Sequence, residues 1–254
     1  MDQVSEQDLR SLLKFNHQQI RMALDKLGQD VLRELATNAY LQDLPEDEIV
    51  ETEGVVGEKV GYLLKGALAM IKHAQDGNAH IVGLLLPTDL FGRLTQDATP
   101  HRLVAVAPSR ILYFDRADFD TMLLAHPELE RMFLISVLDD LDAARDWILL
   151  LSGTSTVDRV AAFLVMLAQR PDVQRFPTSP LRRTVRLPIN RKHLAGALAI
   201  RPESLSRALH KLADQGLIRI IDPANFEIMD LDALCDASSK DAVPSGMGSI
   251  RKSS

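Results

Sequence analysis

The chain has 254 residues, of which 46% are hydrophobic and 25% charged, and a formal net charge of −6, as in a soluble protein of one or two domains. No apolar run reaches the roughly 18 residues of a membrane helix, and residues 1–10 lack the basic and then apolar pattern of a signal peptide, so we expect no membrane partner and a cytoplasmic protein. A single cysteine, Cys235, excludes a disulfide framework or a four-cysteine cluster within one chain.

The first half of the chain changes periodicity near residue 40. Residues 1–40 carry apolar side chains every three or four positions, which predicts an N-terminal extension of short helices. In residues 41–126, glycines separate short segments rich in Val, Leu and Ile, which predicts antiparallel strands. Residues 67–73 and 79–86 form the clearest hairpin, because the Asp-Gly pair between them tolerates positive φ. Residues 103–106 and 111–114, separated by Pro108 and Ser109, are predicted to close the sheet as two strands.

A long helix is predicted for residues 127–152, with Pro127 at its first position. One stripe is expected to pack on the strands; it consists of Phe133, Val137, Leu141 and Ile148, with Leu134, Leu138 and Leu151 beside it. A second stripe, at coiled-coil spacing, is expected to contact a second copy of the chain; it consists of Met132, Ser136, Asp139, Ala143, Asp146 and Leu150. Facing aspartates would oppose association, which makes dimerisation a candidate switch, and the alternative is a core helix within one chain.

Residues 153–236 are predicted to form a second domain, and residues 237–254 a disordered tail. Ser155 and Asp158 have the spacing of a capping box, so a helix begins there. Apolar residues near Leu194 and Leu205 have the spacing of a helix-turn-helix, with Pro202 opening its second helix. Residues 215–220 and 226–229 then predict the hairpin of a winged helix.

Charge and surface chemistry indicate double-stranded DNA as the partner of this second domain. Residues 182–220 carry nine Lys and Arg against two acidic residues, whereas the rest of the chain is acidic. Glu203, Ser206 and Arg207 are expected on the outer face of the second helix, where glutamate can accept from cytosine and arginine can donate twice to guanine. The predicted contacts to the DNA backbone are Arg191, Lys192, Arg201, His210, Lys211 and Arg219.

Residues 40–235 resemble the Crp/Fnr family of bacterial transcription regulators. The resemblance rests on residues 147–152, residues 159–164 and the Glu203-x-x-Ser206-Arg207 pattern. It implies an α+β fold: an N-terminal β-roll, which is a jelly roll like that of cyclic-nucleotide-binding domains, then a long dimerisation helix and a C-terminal winged helix-turn-helix. It also implies a homodimer on palindromic TTGA-type sites, with Glu203 and Arg207 addressing a G·C pair and Ser206 a neighbouring T, and RNA polymerase as a further partner. Arg201 and Pro202 depart from the usual cap region of the family.

The resemblance reduces the set of possible cofactors but does not identify one. The N-terminal cysteines that hold an iron–sulfur cluster in Fnr are absent here, which excludes such a cluster. Arg93 and Leu103 stand where cyclic-nucleotide binders have Glu and Ser, which argues against cAMP. Arg93 and Arg102 are a candidate anion site, and ordinary surface charge is the alternative. Haem is a possible cofactor, because the chain has seven histidines that could ligate iron. None of them lies in a diagnostic motif, so we predict no metal site. Control by abundance, without a ligand, is the remaining option.

Two other classes of function are alternatives to DNA binding. In the first, the protein is a small-molecule or haem-binding module whose winged helix docks a protein. Glu203 and Arg207 argue against it, since a docking surface favours apolar or aromatic anchors. In the second, the protein is an enzyme, but no nucleophile elbow, P-loop or metal-ligand spacing rises above chance, so we expect no enzymatic activity.

Overall fold

A computed structural model describes residues 2–14, 18–73, 79–170 and 183–238. The predicted turn at 75–78, most of the proline-containing loop at 170–183, and the tail from residue 239 lie outside the described residues. The chain divides into two compact units, one of Met1–Val137 with Pro188–Ala197 and one of Leu138–Leu187 with Leu198–Ser254. No helix in the described ranges is long and apolar enough to cross a membrane.

The first unit begins with a strand and three short helices, as the periodicity of residues 1–40 predicts for the helices. They are β1 (Asp2–Gln3), α1 (Glu6–Leu12), α2 (Gln18–Lys26) and α3 (Gln29–Asn38). The Ser5 side chain caps α1 by accepting from the Asp8 amide at 3.1 Å. Leu9, Ile20, Leu24, Leu27 and Leu35 are all buried, so the three helices form one apolar layer.

The β-roll follows as an antiparallel sheet. Its strands are β2 (Ala39–Leu44), β3 (Ile49–Glu51), β4 (Lys59–His73), β5 (Ala79–Leu85), β6 (Leu90–Phe91) and β7 (Arg102–Asp115). The order is β1-β2-β7-β4-β5, with β3 paired to β7 and β6 to β4. The predicted hairpin is confirmed, since β4 and β5 pair from Leu68↔Leu85 to His73↔Ala79.

The prediction of two strands around Pro108 and Ser109 is wrong, because β7 is a single strand of 14 residues. The partner strand β4 has three register shifts between Leu63 and Leu68, where it pairs with the part of β7 that contains Pro108 and Ser109. Such bulges leave residues outside the hydrogen-bond ladder, so a proline without an amide is tolerated there. Gly66 has φ of +95°, and a Cβ on it would lie 2.6 Å from the Pro108 carbonyl oxygen. Only glycine therefore fits this bend.

Two helices complete the middle of the chain, α4 (Arg116–Ala125) and α5 (Pro127–Ser152). Part of the assignment of the two faces of α5 is wrong: Phe133 packs on the apolar cluster and Ala143 is exposed, as predicted, but other positions of both stripes are reversed. Met132, Ser136 and Leu150, expected at the surface between two copies, are buried within the chain, whereas Leu134, Leu138 and Ile148 are 56%, 61% and 68% exposed. Met132 belongs to the apolar cluster that includes the N-terminal helices. That helical layer covers the first turns of the face that we had assigned to a second copy, at Met132 and Ser136.

The second unit contains the winged helix. Ser155 and Asp158 form the predicted capping box of α6 (Thr156–Gln169). After β8 (Arg183–Arg186) come α7 (Arg191–Ala197), which is grouped with the first unit, α8 (Pro202–Asp214), β9 (Ile218–Ile220) and β10 (Asn225–Ile228). The wing has strand order β8-β10-β9. A final helix, α9 (Leu231–Ala237), was not predicted; it covers the first residue that we had assigned to the tail.

Candidate DNA-recognition surface

The local sequence explains why a helix begins at Pro202. The connection from α7 contains Ala199 at φ of +52° and ends at Arg201, whose extended backbone is the N-cap of α8. Proline at the first helical position loses no hydrogen bond, because that amide has no partner within a helix. Leu205, Leu209 and Leu212 are buried, and α8 packs against α6 along this side. The opposite face of α8 is therefore directed outward.

The three predicted base-contacting residues share this outer face. Glu203 and Arg207 are exposed and Ser206 is half-buried. Positions three and four apart lie on neighbouring turns of a helix, so the carboxylate, hydroxyl and guanidinium are adjacent. Neither Glu203 nor Arg207 has an ion pair with any other residue that the structure describes. Both charged groups are thus available to a partner in the major groove.

The predicted backbone-contacting cations are distributed over three elements. Arg201, His210 and Lys211 are exposed at the start and in the last turns of α8. Lys192 is exposed and Arg191 half-buried at the start of α7, where the Asn190 side chain accepts from the His193 amide at 2.9 Å.

Arg219, the last predicted backbone contact, already has a partner. Its Nη2 lies 2.5 Å from Oε2 of Glu227, and the two residues are opposite one another on β9 and β10. The Glu227 side chain is 4% exposed, whereas that of Arg219 is 60% exposed. A buried carboxylate needs a compensating cation, so Arg219 stabilises the wing whether or not it also contacts a phosphate.

Arg159 has a structural role that the family resemblance of residues 159–164 does not reveal. Its Nε donates to Gly153 O at 3.2 Å, and its Nη1 donates to Leu198 O at 3.2 Å and to Ala199 O at 3.4 Å. One guanidinium thus joins the loop after α5 to the turn before α8. The available signal was a single basic residue in the first turn of an otherwise apolar, buried helix.

The β-roll contains a polar pocket of about 480 Å³. The Lys59 ammonium lies 5.3 Å from the ring centroid of Tyr40 and 5.1 Å from that of Tyr113. Burial, then the neighbours Tyr40 and Glu51, raise the pKa of Tyr113. Burial also raises the pKa of Glu51, against the opposing field of Arg93. The pocket is lined by Lys59, Tyr113 and Glu51, so it can present a cation, one phenol group and a carboxyl group to a small molecule.

The candidate anion site is only partly assembled. Arg93 lies near the pocket, with its Nη2 at 4.0 Å from Asp97 Oδ2, and Arg102 begins β7 opposite Ile71. Burial, then the charges of Lys72 and Arg93, lower the pKa of the neighbouring His101. The positive charges of Lys72 and Arg93 near His101 are opposed by the carboxylates of Glu53 and Asp97.

The histidines do not form a metal site in the described part of the chain. His73 is paired across the hairpin with Ala79, and His80 with Lys72, so the two histidines do not face one another. No group of three or more His, Cys, Asp or Glu side chains among the described residues could hold a metal ion. Haem coordination therefore gains no support from these positions.

A β-roll sensor, a long helix and a winged helix with an exposed, polar second helix together define a DNA-binding transcription regulator. Residues 41–126 match the model of the cyclic nucleotide-binding domain and residues 158–237 that of the Crp-like helix-turn-helix domain. The chain belongs to the Crp/Fnr family.

Relatives and solved structures agree with this assignment. The transcriptional activator protein FnrL of Cereibacter sphaeroides is 27% identical over 87% of this chain and 90% of its own length. The nitrogen fixation regulation protein FixK of Bradyrhizobium diazoefficiens is 30% identical over 66% of this chain and 72% of its own length. The structure of FixK2 from Bradyrhizobium japonicum has the same fold, with a TM-score of 0.69, 22% identity, and coverage of 79% of this chain and 98% of that chain.

Proposed function

We propose that the regulator binds a palindromic DNA site with TTGA-type half-sites and that Glu203, Ser206 and Arg207 contact its bases. One observation carries the proposal: Glu203 and Arg207 are exposed and adjacent on α8, with no ion pair to other described residues. A protein-docking face would instead present apolar or aromatic anchors. Arginine can donate twice to guanine and glutamate can accept from cytosine, so both members of one G·C pair are addressed.

A homodimer supplies the two recognition helices that a palindrome requires. The dimer contact that we propose is the exposed face of α5, which we call the seam. It consists of Leu134, Val137, Leu138, Leu141, Ala144, Ile148 and Leu151. Leu134, Leu141 and Ile148 are seven residues apart, and Val137, Ala144 and Leu151 follow them by three, which is the spacing of a parallel coiled coil. Exposed large apolar side chains in such a row favour association with an identical row.

The remaining proposed contacts join basic side chains to DNA phosphates. Arg191, Lys192, Arg201, His210 and Lys211 would neutralise phosphates, and Arg219 would do so only in addition to pairing with Glu227. The acidic remainder of the chain would be directed away from the duplex. RNA polymerase in the cytoplasm is the partner through which such a protein would act on transcription, and no enzymatic step is required.

Residues 41–126 are the sensor domain in this proposal. We infer that the polar β-roll pocket takes a small molecule bearing hydrogen-bonding groups, and that Arg93 and Arg102 form an anion site at its edge. Arg93 in place of a glutamate disfavours the ribose of cAMP, and a single cysteine cannot bind an iron–sulfur cluster. A module that binds a small molecule and docks a protein through its winged helix remains the second candidate, because the pocket is compatible with both.

The test is fluorescence anisotropy of a labelled duplex with TTGA and TCAA half-sites about 10 base pairs apart, centre to centre. The proposal predicts saturable binding that is at least tenfold tighter than to a scrambled duplex at the same salt concentration. Sedimentation of the complex should give two chains per duplex. Equal affinity for both duplexes would refute sequence-specific recognition, and one chain per duplex would refute the dimer.

A further inference from the structure

One wall of the polar β-roll pocket is the segment that joins β3 to β4. Thr99 ties this segment to the chain before β7. Its amide and its hydroxyl each donate to Val55 O at 2.9 Å, and its carbonyl accepts from Gly54 N at 2.8 Å. Thr99 is itself 4% exposed. The wall is therefore held in place by the protein alone, as in other small-molecule sites, which are largely formed before the ligand binds.

Two side chains of opposite charge line the pocket, and neither has a charged partner among the described residues. Glu51, the last residue of β3, has no hydrogen bond or ion pair with any of them. The Lys59 ammonium lies over two aromatic rings but has no carboxylate partner there. Both side chains are half-buried, whereas Glu48 and Glu58, which also line the pocket, are exposed to water. A ligand that carries one charge of each sign would compensate both half-buried groups.

Tyr113 adds a hydrogen-bond donor to the same pocket. The residue is 4% exposed, and its hydroxyl has no hydrogen-bond partner in the part of the chain that the structure describes. Burial, then the neighbours Tyr40 and Glu51, raise the pKa of Tyr113, so its hydroxyl stays protonated. A largely buried phenol without a partner costs free energy. An oxygen atom of a ligand at this position would therefore be stabilised.

Two acceptors face one space beside Gly57. A Cβ added to Gly57 would lie 3.6 Å from Glu51 Oε1 and 4.0 Å from Thr99 Oγ1. The Thr99 hydroxyl hydrogen is already donated to Val55 O, so the Thr99 oxygen can act only as an acceptor here. An ammonium group has three donors and no acceptor, and it fits a space that a carboxylate and a hydroxyl oxygen share.

We propose that the pocket binds a free amino acid with an apolar side chain, its ammonium on Glu51 and Thr99 and its carboxylate on Lys59 and Tyr113. This rests on the proposed sensor role of residues 41–126 and specifies the class of ligand. An amine alone would leave Lys59 unpaired, and a carboxylate alone would leave Glu51 unpaired. The volume of about 480 Å³ lies within the roughly 300–1,000 Å³ of small-molecule sites. The apolar lining residues would contact the ligand side chain; they are Leu44, Ile49, Val50, Val55, Val56 and Phe91.

Calorimetric titration of the full-length protein with L-leucine tests the proposal. Two analogues separate the charged groups of leucine: 3-methylbutylamine lacks the carboxylate, and 4-methylpentanoic acid lacks the ammonium. Leucine should bind saturably, at one site per chain, and at least tenfold more tightly than either analogue. An analogue that binds as tightly as leucine would overturn the amino-acid assignment. Absence of saturable binding by both L-leucine and L-phenylalanine would overturn it as well.

Charge-removing variants test the two ends of the ligand separately. Glu51→Gln should weaken leucine binding at least tenfold without weakening that of 4-methylpentanoic acid, and Lys59→Met should do the same without weakening that of 3-methylbutylamine. Glu51→Gln removes a half-buried charge that has no described partner, so we expect no loss of folding. The matched controls are Glu53→Gln and Lys65→Met, because Glu53 pairs with Lys72, Lys65 is exposed, and neither lines the pocket. Equal weakening in a control and in its pocket variant would contradict the assignment.

Gly57→Ala tests the position of the ammonium without removing a charge. The φ of Gly57 lies outside the left-handed region, so alanine can adopt its backbone, and the added methyl group takes the space beside Glu51. Leucine binding should weaken at least tenfold, whereas Gly28→Ala, whose Cβ meets no atom within 4 Å, should leave it unchanged. If leucine binds equally well to Gly57→Ala, Glu51→Gln and Lys59→Met, its site lies elsewhere and the proposal fails. Duplex binding in the anisotropy assay is measured without leucine, so it tests the DNA proposal independently.

Discussion

Arg159 Nη1 donates a hydrogen bond of 3.2 Å to the carbonyl oxygen of Leu198, 39 residues later in the chain. The same guanidinium also bonds the carbonyls of Ala199 and Gly153. Ala199 has φ of +52°, a conformation that costs a non-glycine residue roughly 1 kcal/mol. Arg159 therefore holds the turn before α8 in a strained geometry and ties it to the end of α5.

Replacing Arg159 with alanine should weaken binding to the specific duplex about tenfold, because the start of α8 loses its support. Arg159→Lys should rescue little, since an ammonium cannot donate to three carbonyls in the geometry of a guanidinium. Arg145→Ala is the matched control; its guanidinium pairs with Asp142 on the exposed surface of α5 and should leave affinity unchanged. Anisotropy measures all three, and equal loss in Arg159→Ala and Arg145→Ala would contradict a positioning role.

Arg219→Ala should destabilise the protein by about 1–3 kcal/mol, because it leaves the buried Glu227 carboxylate without its partner. Replacing Glu227 with glutamine in the same chain should recover most of that loss, since no buried charge then remains. Urea unfolding of the two single variants and the double variant forms a double-mutant cycle. Additive losses would show that the pair contributes nothing to the wing.

Leu138→Glu should raise the dimer dissociation constant at least tenfold, because it places a charge in the seam. Leu138 is 61% exposed within one chain, so the substitution leaves the core intact. Leu124→Glu is the control, since Leu124 is 80% exposed on α4 and lies outside the seam. Sedimentation velocity of both variants tests the assignment, which fails if Leu124→Glu dissociates the dimer as strongly as Leu138→Glu.

Asp158→Ala should destabilise the protein by about 0.5–2 kcal/mol near neutral pH, because it removes the acceptor that completes the capping box. Burial opposes ionisation of Asp158, but hydrogen bonds from Ser155 and Thr154 outweigh it and hold its pKa below the ordinary 3.8. A carboxylate with a lowered folded-state pKa stabilises above its unfolded-state pKa, and this contribution disappears as pH falls through the folded value. The difference between the two proteins in urea should therefore shrink below about pH 3.8. A difference in the free energy of unfolding that stays constant with pH would contradict a role for the ionised Asp158 carboxylate.

The recognition helix could be predicted from sequence because local information defines it. Pro202 sets its start, and Leu205, Leu209 and Leu212 define its buried side, which leaves Glu203 and Arg207 outside. The three N-terminal helices and the hairpin of β4 and β5 follow from periodicity for the same reason.

The faces of α5 could not be assigned in this way. The stripe with the larger apolar side chains is mostly the exposed one, and the element that packs on Met132 and Ser136 is a helical layer about a hundred residues earlier. The single strand β7 was missed because Pro108 is tolerated only through the bend at Gly66 on another strand. The contacts of Arg159 likewise join residues 39 and 40 positions apart, which no local pattern reveals.

We expect Arg207 to contact the G·C pair of each half-site and Lys211 to contact the backbone. The most direct measurement is anisotropy of the unchanged protein, Arg207→Ala and Lys211→Ala on two duplexes, one carrying the G·C pair and one with A·T in its place. Arg207→Ala should lose about 1–3 kcal/mol per half-site on the first duplex and no longer distinguish the two. Lys211→Ala should weaken binding to both equally and reduce the salt dependence. If Arg207→Ala still discriminates between the duplexes as the unchanged protein does, α8 does not contact the bases as described.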